Sequence, residues 1–163
     1  MTVVPETPTV LVVGAGEVAT ALRAFTTTLG WSAVVVESLE DTLAALPGAE
    51  VVVVTSHQEG VDGPAIAAAL AQGTPYIGAM GSRSTQARRR EWMLANGVSQ
   101  RQVDSVHAPV GLDIGADTPA EIALAIVAEI VAVRRGASGG SLEGRPGPIH
   151  PGLDPGTAEC PAG

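Results

Sequence analysis

Thr9-Val10-Leu11-Val12-Val13-Gly14-Ala15-Gly16-Glu17-Val18-Ala19 decides the fold. Four consecutive apolar residues, 10–13, have the length and β-branching of a buried parallel strand. They run directly into Gly-x-Gly-x-x-Ala, and a helical pattern follows. Strand, glycine turn and helix in that order open a dinucleotide-binding fold. The small residues have separate tasks. Gly14 turns the chain sharply out of the strand. Gly16, without a Cβ, lets backbone N–H groups approach a pyrophosphate. Ala19 keeps the helix close to the sheet. The helix N-terminus then offers free N–H groups and a positive dipole end to an anion. The same glycines would also serve a tight turn that binds nothing.

Outward from this stretch, the pattern alternates. Apolar spacing at Val18, Leu22, Phe25 and Leu29 predicts a helix over 17–29, ended by Gly30. A second buried strand is expected within 32–37, and Ser38 caps a short helix over 39–46 before Pro47-Gly48. Residues 51–54 form the third strand. Residues 55–63 read as a polar loop, and Pro64 as the first turn of a helix over 64–71. A fourth strand is expected at 75–78, then a second glycine turn, Gly78-Ala79-Met80-Gly81-Ser82-Arg83, and a helix over 84–96. Ser99 and Gln102 have capping-box spacing. A short fifth strand is expected within 103–110, followed by the loop 111–117. Thr118-Pro119-Ala120-Glu121 is a strong helix start, and Ile122, Ile126, Ile130 and Val133 mark the core face of a helix to Arg135. The whole reads as an α/β, doubly wound, mainly parallel, Rossmann-like sheet in a single domain over 9–135. Residues 1–8 read as a flexible arm. Thirteen of the 28 residues in 136–163 are Gly or Pro, which reads as a disordered tail.

Composition narrows the function. Net charge is −8, which argues against nucleic acid and anionic membranes as partners. No apolar run approaches the ~20 residues needed to span a bilayer. Residues 1–8 lack the features of a signal peptide. The single cysteine, Cys160, makes no internal disulfide and points to a reducing, cytoplasmic setting. All nine basic residues are arginines, so a phosphate-loop lysine, a Schiff-base lysine and a Tyr-x-x-x-Lys pair are all excluded. No Ser-His-Asp or Cys-His arrangement suggests a hydrolase.

Ligands of such sheets bind beyond the carboxyl ends of the strands, where the strand order reverses. With strands one and four as neighbours, the loops at 14–16, 79–84 and 111–117 would converge on one crevice. Glu37, 21 residues after Gly16, stands where an acid bonds the ribose of NAD, with no neighbouring arginine to take the extra phosphate of NADP. It is equally a solvated acid at a strand end. Gly81, Ser82 and Arg83 are candidates for phosphate contact. Arg88, Arg89 and Arg90 read as a solvated face or docking patch, because consecutive helical residues lie ~100° apart. His57 and His107 lack a third ligand, so no metal site is expected. Asp113 is a candidate ligand contact, and Asp117 a helper at the helix entry.

Two segments are more specific. Residues 75–89, PYIGAMGSRSTQARR, and 107–123, HAPVGLDIGADTPAEIA, closely resemble signatures of the XdhC/CoxI family, and the likeness extends over 10–135. It is similar to the C-terminal Rossmann domain of that family. The resemblance implies an accessory factor for the maturation of molybdenum hydroxylases of the xanthine dehydrogenase or CO dehydrogenase type. It implies binding of molybdenum cofactor (molybdopterin) and its delivery to an apo molybdenum hydroxylase; the glycine fingerprint and Glu37 keep NAD(P) as the other candidate cofactor. Gly14, Gly16, Gly81, Ser82, Arg83, His107 and Asp113 match family positions. Two departures stand out. The family's N-terminal domain is absent from this sequence, which suggests a separate protein carrying it as partner, and self-association is open. Glu17 replaces the histidine common after the second fingerprint glycine. The alternatives are an NAD(P)-dependent oxidoreductase and a nucleotide-sensing regulatory module. A non-catalytic role is favoured, since no residue pair is arranged to move a proton beside a hydride.

Overall fold

A computed structural model describes residues 7–150. The valine runs form the middle of its sheet. Strands β1 (Thr9–Val13), β2 (Ser32–Val36), β3 (Val51–Val54) and β4 (Tyr76–Ala79) are all parallel, in the order β2-β1-β3-β4. All four valines of β3 are fully buried, because helices cover both faces. The strand period of two sorts the side chains. Leu11, Val13, Val52, Val54, Ile77 and Ala79 face one core, with Ile66, Ala69 and Met93. Val10, Val12, Val51, Val53 and Tyr76 face the other, with Leu22, Ile126 and Ile130.

The helices are α1 (Glu17–Thr28), α2 (Leu39–Ala45), α3 (Glu59–Gln72), α4 (Arg83–Ala95), α5 (Gln100–Asp104) and α6 (Pro119–Arg135). α1 packs along α6 on one face, and α2, α3 and α4 follow one another on the other. The expected doubly wound Rossmann architecture is therefore present. Both predicted capping boxes form. Ser99 Oγ accepts from the Gln102 N–H, and Thr118 Oγ1 from the Glu121 N–H at 3.2 Å.

Several expectations need correction. The region 103–110 forms no fifth strand: α5 occupies its start, and His107 makes only a single parallel bridge to Gly78. His107 N–H donates to the Ile77 carbonyl and its own carbonyl accepts from Ala79, both at 2.9 Å. Pro109, two residues on, has no N–H with which to extend the ladder. Strands one and four are not neighbours, since β3 lies between β1 and β4. α3 begins at Glu59, so Pro64 lies inside it and the loop shortens to 55–58. The expected α1 face meets the core through buried Leu22 and through Val18 and Phe25 packed against it, joined by buried Ala19 and Thr26; Leu29 is the C-cap beyond the helix and is exposed. On α6, Val133 is exposed and the small residues Ala123, Ala125 and Ala132 are buried instead. Buried alanines of this kind are invisible to a search for large apolar residues. Residues 137–150 carry no helix or strand and are exposed. Residues 1–6 of the expected arm and 151–163 of the expected tail lie outside the described residues.

Glu121 Oε2 accepts from the N–H groups of Asp117 (3.0 Å) and Thr118 (2.9 Å), which holds its carboxyl below the usual carboxylate range. A depressed folded pKa stabilises at neutral pH, and the contribution is lost as pH falls through it. Thr118→Ala is expected to cost about 1 kcal/mol in urea unfolding. Glu121→Ala should destabilise more at about pH 7 than at about pH 3; an equal loss at both would remove the charge from the account.

Candidate functional site

With order β2-β1-β3-β4, the chain reverses direction across the sheet between β1 and β3. The crevice of such a sheet lies there, between the loop after β1 and the loop after β3. Gly14 makes their contact possible. Its φ is 136°, and a Cβ on it would stand 2.3 Å from Thr55 Oγ1 and 2.7 Å from Ser56 N. The Thr55 and Ser56 N–H groups both donate to the Val13 carbonyl, at 2.8 and 3.1 Å. On the other side, Gly14 N–H donates to the Val36 carbonyl at 2.7 Å, which brings the end of β2, and exposed Glu37 after it, beside the same loop.

Gly16 differs from Gly14. It is the N-cap of α1 at φ 101°, and a Cβ there would meet nothing within 4 Å. No side chain caps this helix, so its first-turn N–H groups have no side-chain acceptor. A cavity of about 220 Å³ adjoins it, lined by Ala15, Gly16, Ala19, Thr20, Arg23 and Val35. Arg23 is exposed and brings a cation to this cavity, partly offsetting Glu17 at the helix start. The sequence contained its signal: Gly16, Ala19 or Thr20, and Arg23 recur at helical spacing on one face.

The second glycine turn lies beyond β3. Ser82 caps α4, its hydroxyl accepting from the Thr85 N–H at 3.2 Å and contacting the Ser84 and Thr85 hydroxyls. Arg83 is exposed and makes no ion pair among the described residues. Gly81, at φ 139°, sits against Thr85 and the Arg89 guanidinium. His107 faces elsewhere. Its ring stacks on Tyr76, the first residue of β4, with centroids 4.5 Å apart, and its Nδ1 lies 3.4 Å from Glu129 Oε1. Tyr76 donates to that same oxygen at 2.6 Å; burial, and then the carboxylate, hold its hydroxyl above the usual tyrosine range. Asp113 is exposed in a loop tied to α6 by the Leu112 N–H on the Ala125 carbonyl. Gly14, Gly16 and Glu37 therefore come together. Gly81, Ser82 and Arg83 lie across the β3 loop from them, and the His107 ring lies over the opposite end of β4.

The arginine run needs correction as well. Arg88 and Arg90 are surface residues paired with Glu59 and Asp104. Arg89 is buried. Its NH2 donates to Asp62 Oδ2 at 2.7 Å and to the Ser56 carbonyl at 2.9 Å, and its NH1 donates to the Met80 carbonyl. One guanidinium therefore ties the β3 loop, the β4 loop and α3 together. A run of three like charges hid one core residue, because helical rotation turns Arg89 inward and its neighbours out.

No three His, Cys, Asp or Glu side chains gather around one point among the described residues. No helix in them is long and apolar enough to cross a membrane.

This is a Rossmann-type domain with its loops gathered at the β1/β3 switch. Residues 10–130 match the XdhC Rossmann domain, and the chain belongs to that family. It is 34% identical over 101 residues to the uncharacterised protein YqeB of Escherichia coli (strain K12), covering 62% of this chain and 18% of that one. It also superposes on a protein described as a xanthine dehydrogenase from Bacillus halodurans, with a TM-score of 0.66 and 24% identity. That match covers 80% of this chain and 45% of the other, so the chain spans less than half of either relative.

Breaking a buried pair by deleting one partner typically costs about 3–5 kcal/mol, whereas exposed pairs contribute about 0–1. Arg89→Ala should therefore approach global unfolding, and Arg88→Ala should leave the denaturant midpoint nearly unchanged. Similar losses in both variants would contradict the linking role of Arg89.

Proposed function

We propose that this protein is an accessory factor for molybdenum hydroxylases that binds a phosphate-bearing ligand at the start of α1, beside the β1/β3 crevice. The ligand is the molybdenum cofactor or a dinucleotide of the NAD type. The observation that carries the reading is the uncapped start of α1 at Gly16, opening on a cavity that Arg23 lines. A helix N-terminus without a side-chain cap and with a nearby arginine suits a phosphate. Gly16 fits it sterically, because the space a Cβ would take is empty. Family membership supports the client class.

The chain's own residues would hold the anion and orient the ligand. The α1 N–H groups would meet a phosphate, Arg23 would balance its charge, and Glu37 would accept from a ribose hydroxyl if the ligand carries one. The molybdenum cofactor, when bound, supplies redox chemistry that belongs to the client enzyme. Arg83 at the start of α4 is a second candidate for phosphate contact, across the β3 loop. The partner is an apo molybdenum hydroxylase. A cytoplasmic location accords with the single cysteine. The oxidoreductase alternative has less support, since the Tyr76–His107–Glu129 group lies away from the glycine loop.

Purified protein titrated with NAD, NADP and molybdopterin should gain thermal stability with at least one of them. Arg23→Ala should weaken that ligand on the order of tenfold, because a charge-assisted hydrogen bond contributes about 1.5–3 kcal/mol. No stabilisation by any of the three would overturn the binding proposal. Addition of the protein to an apo molybdenum hydroxylase with its cofactor should raise the active fraction, and an unchanged fraction would overturn the accessory role.

A further inference from the structure

The Arg89–Asp62 pair is made by one hydrogen bond, from NH2 to Oδ2. The other halves of both groups are left over. Asp62 Oδ1 and Arg89 Nε are buried and have no hydrogen-bond partner among the described residues. A buried acceptor and a buried donor left unmade are each expensive, more so when charged. Both residues line a cavity of about 240 Å³ between α3 and α4, whose other walls include His57, Thr85 and the Trp92 ring. The β3 loop links this cavity to the crevice. The loop 55–58 presents Thr55 and Ser56 to Gly14, and His57 to this cavity.

Its chemistry is specific. Behind its lining lie a carboxylate oxygen without a donor and a guanidinium N–H without an acceptor, and one of its walls is the flat Trp92 indole. Gly63 is part of the construction: a Cβ on it would stand 2.7 Å from Trp92 Cε3, so its absence seats the indole against α3.

We propose that this cavity is a subsite for a planar nitrogen heterocycle. Its edge is that of a ring lactam, an N–H donor bonded directly to the carbonyl carbon whose oxygen is the acceptor. The donor meets Asp62 Oδ1, the acceptor meets Arg89 Nε–H, and the ring face lies on Trp92. Aromatic stacking and charge-assisted hydrogen bonds then act together. Both orphan atoms are closed to solvent in the free protein, so binding requires the side chains over them to part. The inference deepens the proposed function, and rests on it only in assigning the ligand's phosphate to the neighbouring crevice.

The test uses hypoxanthine, which has the required edge and no phosphate, and follows Trp92 fluorescence in a Trp31→Phe background. Hypoxanthine should quench saturably. 1-Methylhypoxanthine, with the donor blocked, should bind at least about tenfold more weakly, the loss of one buried hydrogen bond to a charged group. Gly63→Ala, which helix propensity favours but which displaces the indole, should weaken hypoxanthine while circular dichroism stays native. Asp62→Asn should do the same, and Gly63→Ala carries the test if that variant unfolds. Absence of saturable quenching, or equal binding of the methylated base, would overturn the subsite. Inorganic pyrophosphate, followed by thermal shift, probes the crevice separately. Pyrophosphate binding without hypoxanthine binding would leave the proposed function standing and remove this inference.

Discussion

Arg89 is the side chain on which the loop arrangement depends. Its guanidinium reaches two loop carbonyls and one carboxylate, from a helix that belongs to neither loop. Loops at the edge of a parallel sheet have backbone carbonyls with no strand partner. A neutral side chain could satisfy one of them. A guanidinium satisfies two while its charge is balanced by Asp62, because its donors point in fixed directions. The pair is nearly inaccessible, with side-chain exposures of 7% and 3%, so it takes little screening from salt. Its function is geometric: it sets where the β3 loop stands, and therefore the width of the crevice beside it.

Missing Cβ atoms supply a second constraint, and the composition explains why. Aromatic residues make up 2% of the chain, so large side chains cannot fill the spaces between elements. The elements come closer instead. Gly14 admits Thr55 and Ser56, Gly63 admits Trp92, and a Cβ on Gly78 would stand 2.4 Å from Val110 Cγ2. On α6, Ala123 shares a core with Ala19 and Leu22 of α1, and Ala125 lies against the Gly111 loop. The glycines of the opening loop divide between these roles. Gly14 is a packing glycine and Gly16 is an access glycine, although the fingerprint presents them as one motif.

Most of the fold was legible because strands and helix caps are local. The valine runs at 10–13 and 51–54 carry their burial in their composition, and Thr118-x-x-Glu121 carries its cap in its spacing. Strand order is not local. Placing β4 beside β1 followed from one common topology, whereas the observed order inserts β3 between them and moves the crevice to residues 55–58. The start of α3 is hidden for a related reason. Glu59, Gly60 and Gly63 look like loop residues until Asp62 meets Arg89, 27 residues away. His107 was placed near the crevice by its position after an expected strand. That strand reduces to one bridge, and stacking on Tyr76 fixes the ring.

The central claim is that the switch between β1 and β3 forms the ligand crevice, and backbone amides report on it directly. Amide chemical-shift mapping of the isotopically labelled protein, titrated with NAD, should move Gly16, Glu17, Val18, Thr55 and Ser56 most, with Glu37 following. Shifts confined to residues around His107 and Glu129, or to the α4–α5 surface, would contradict the account.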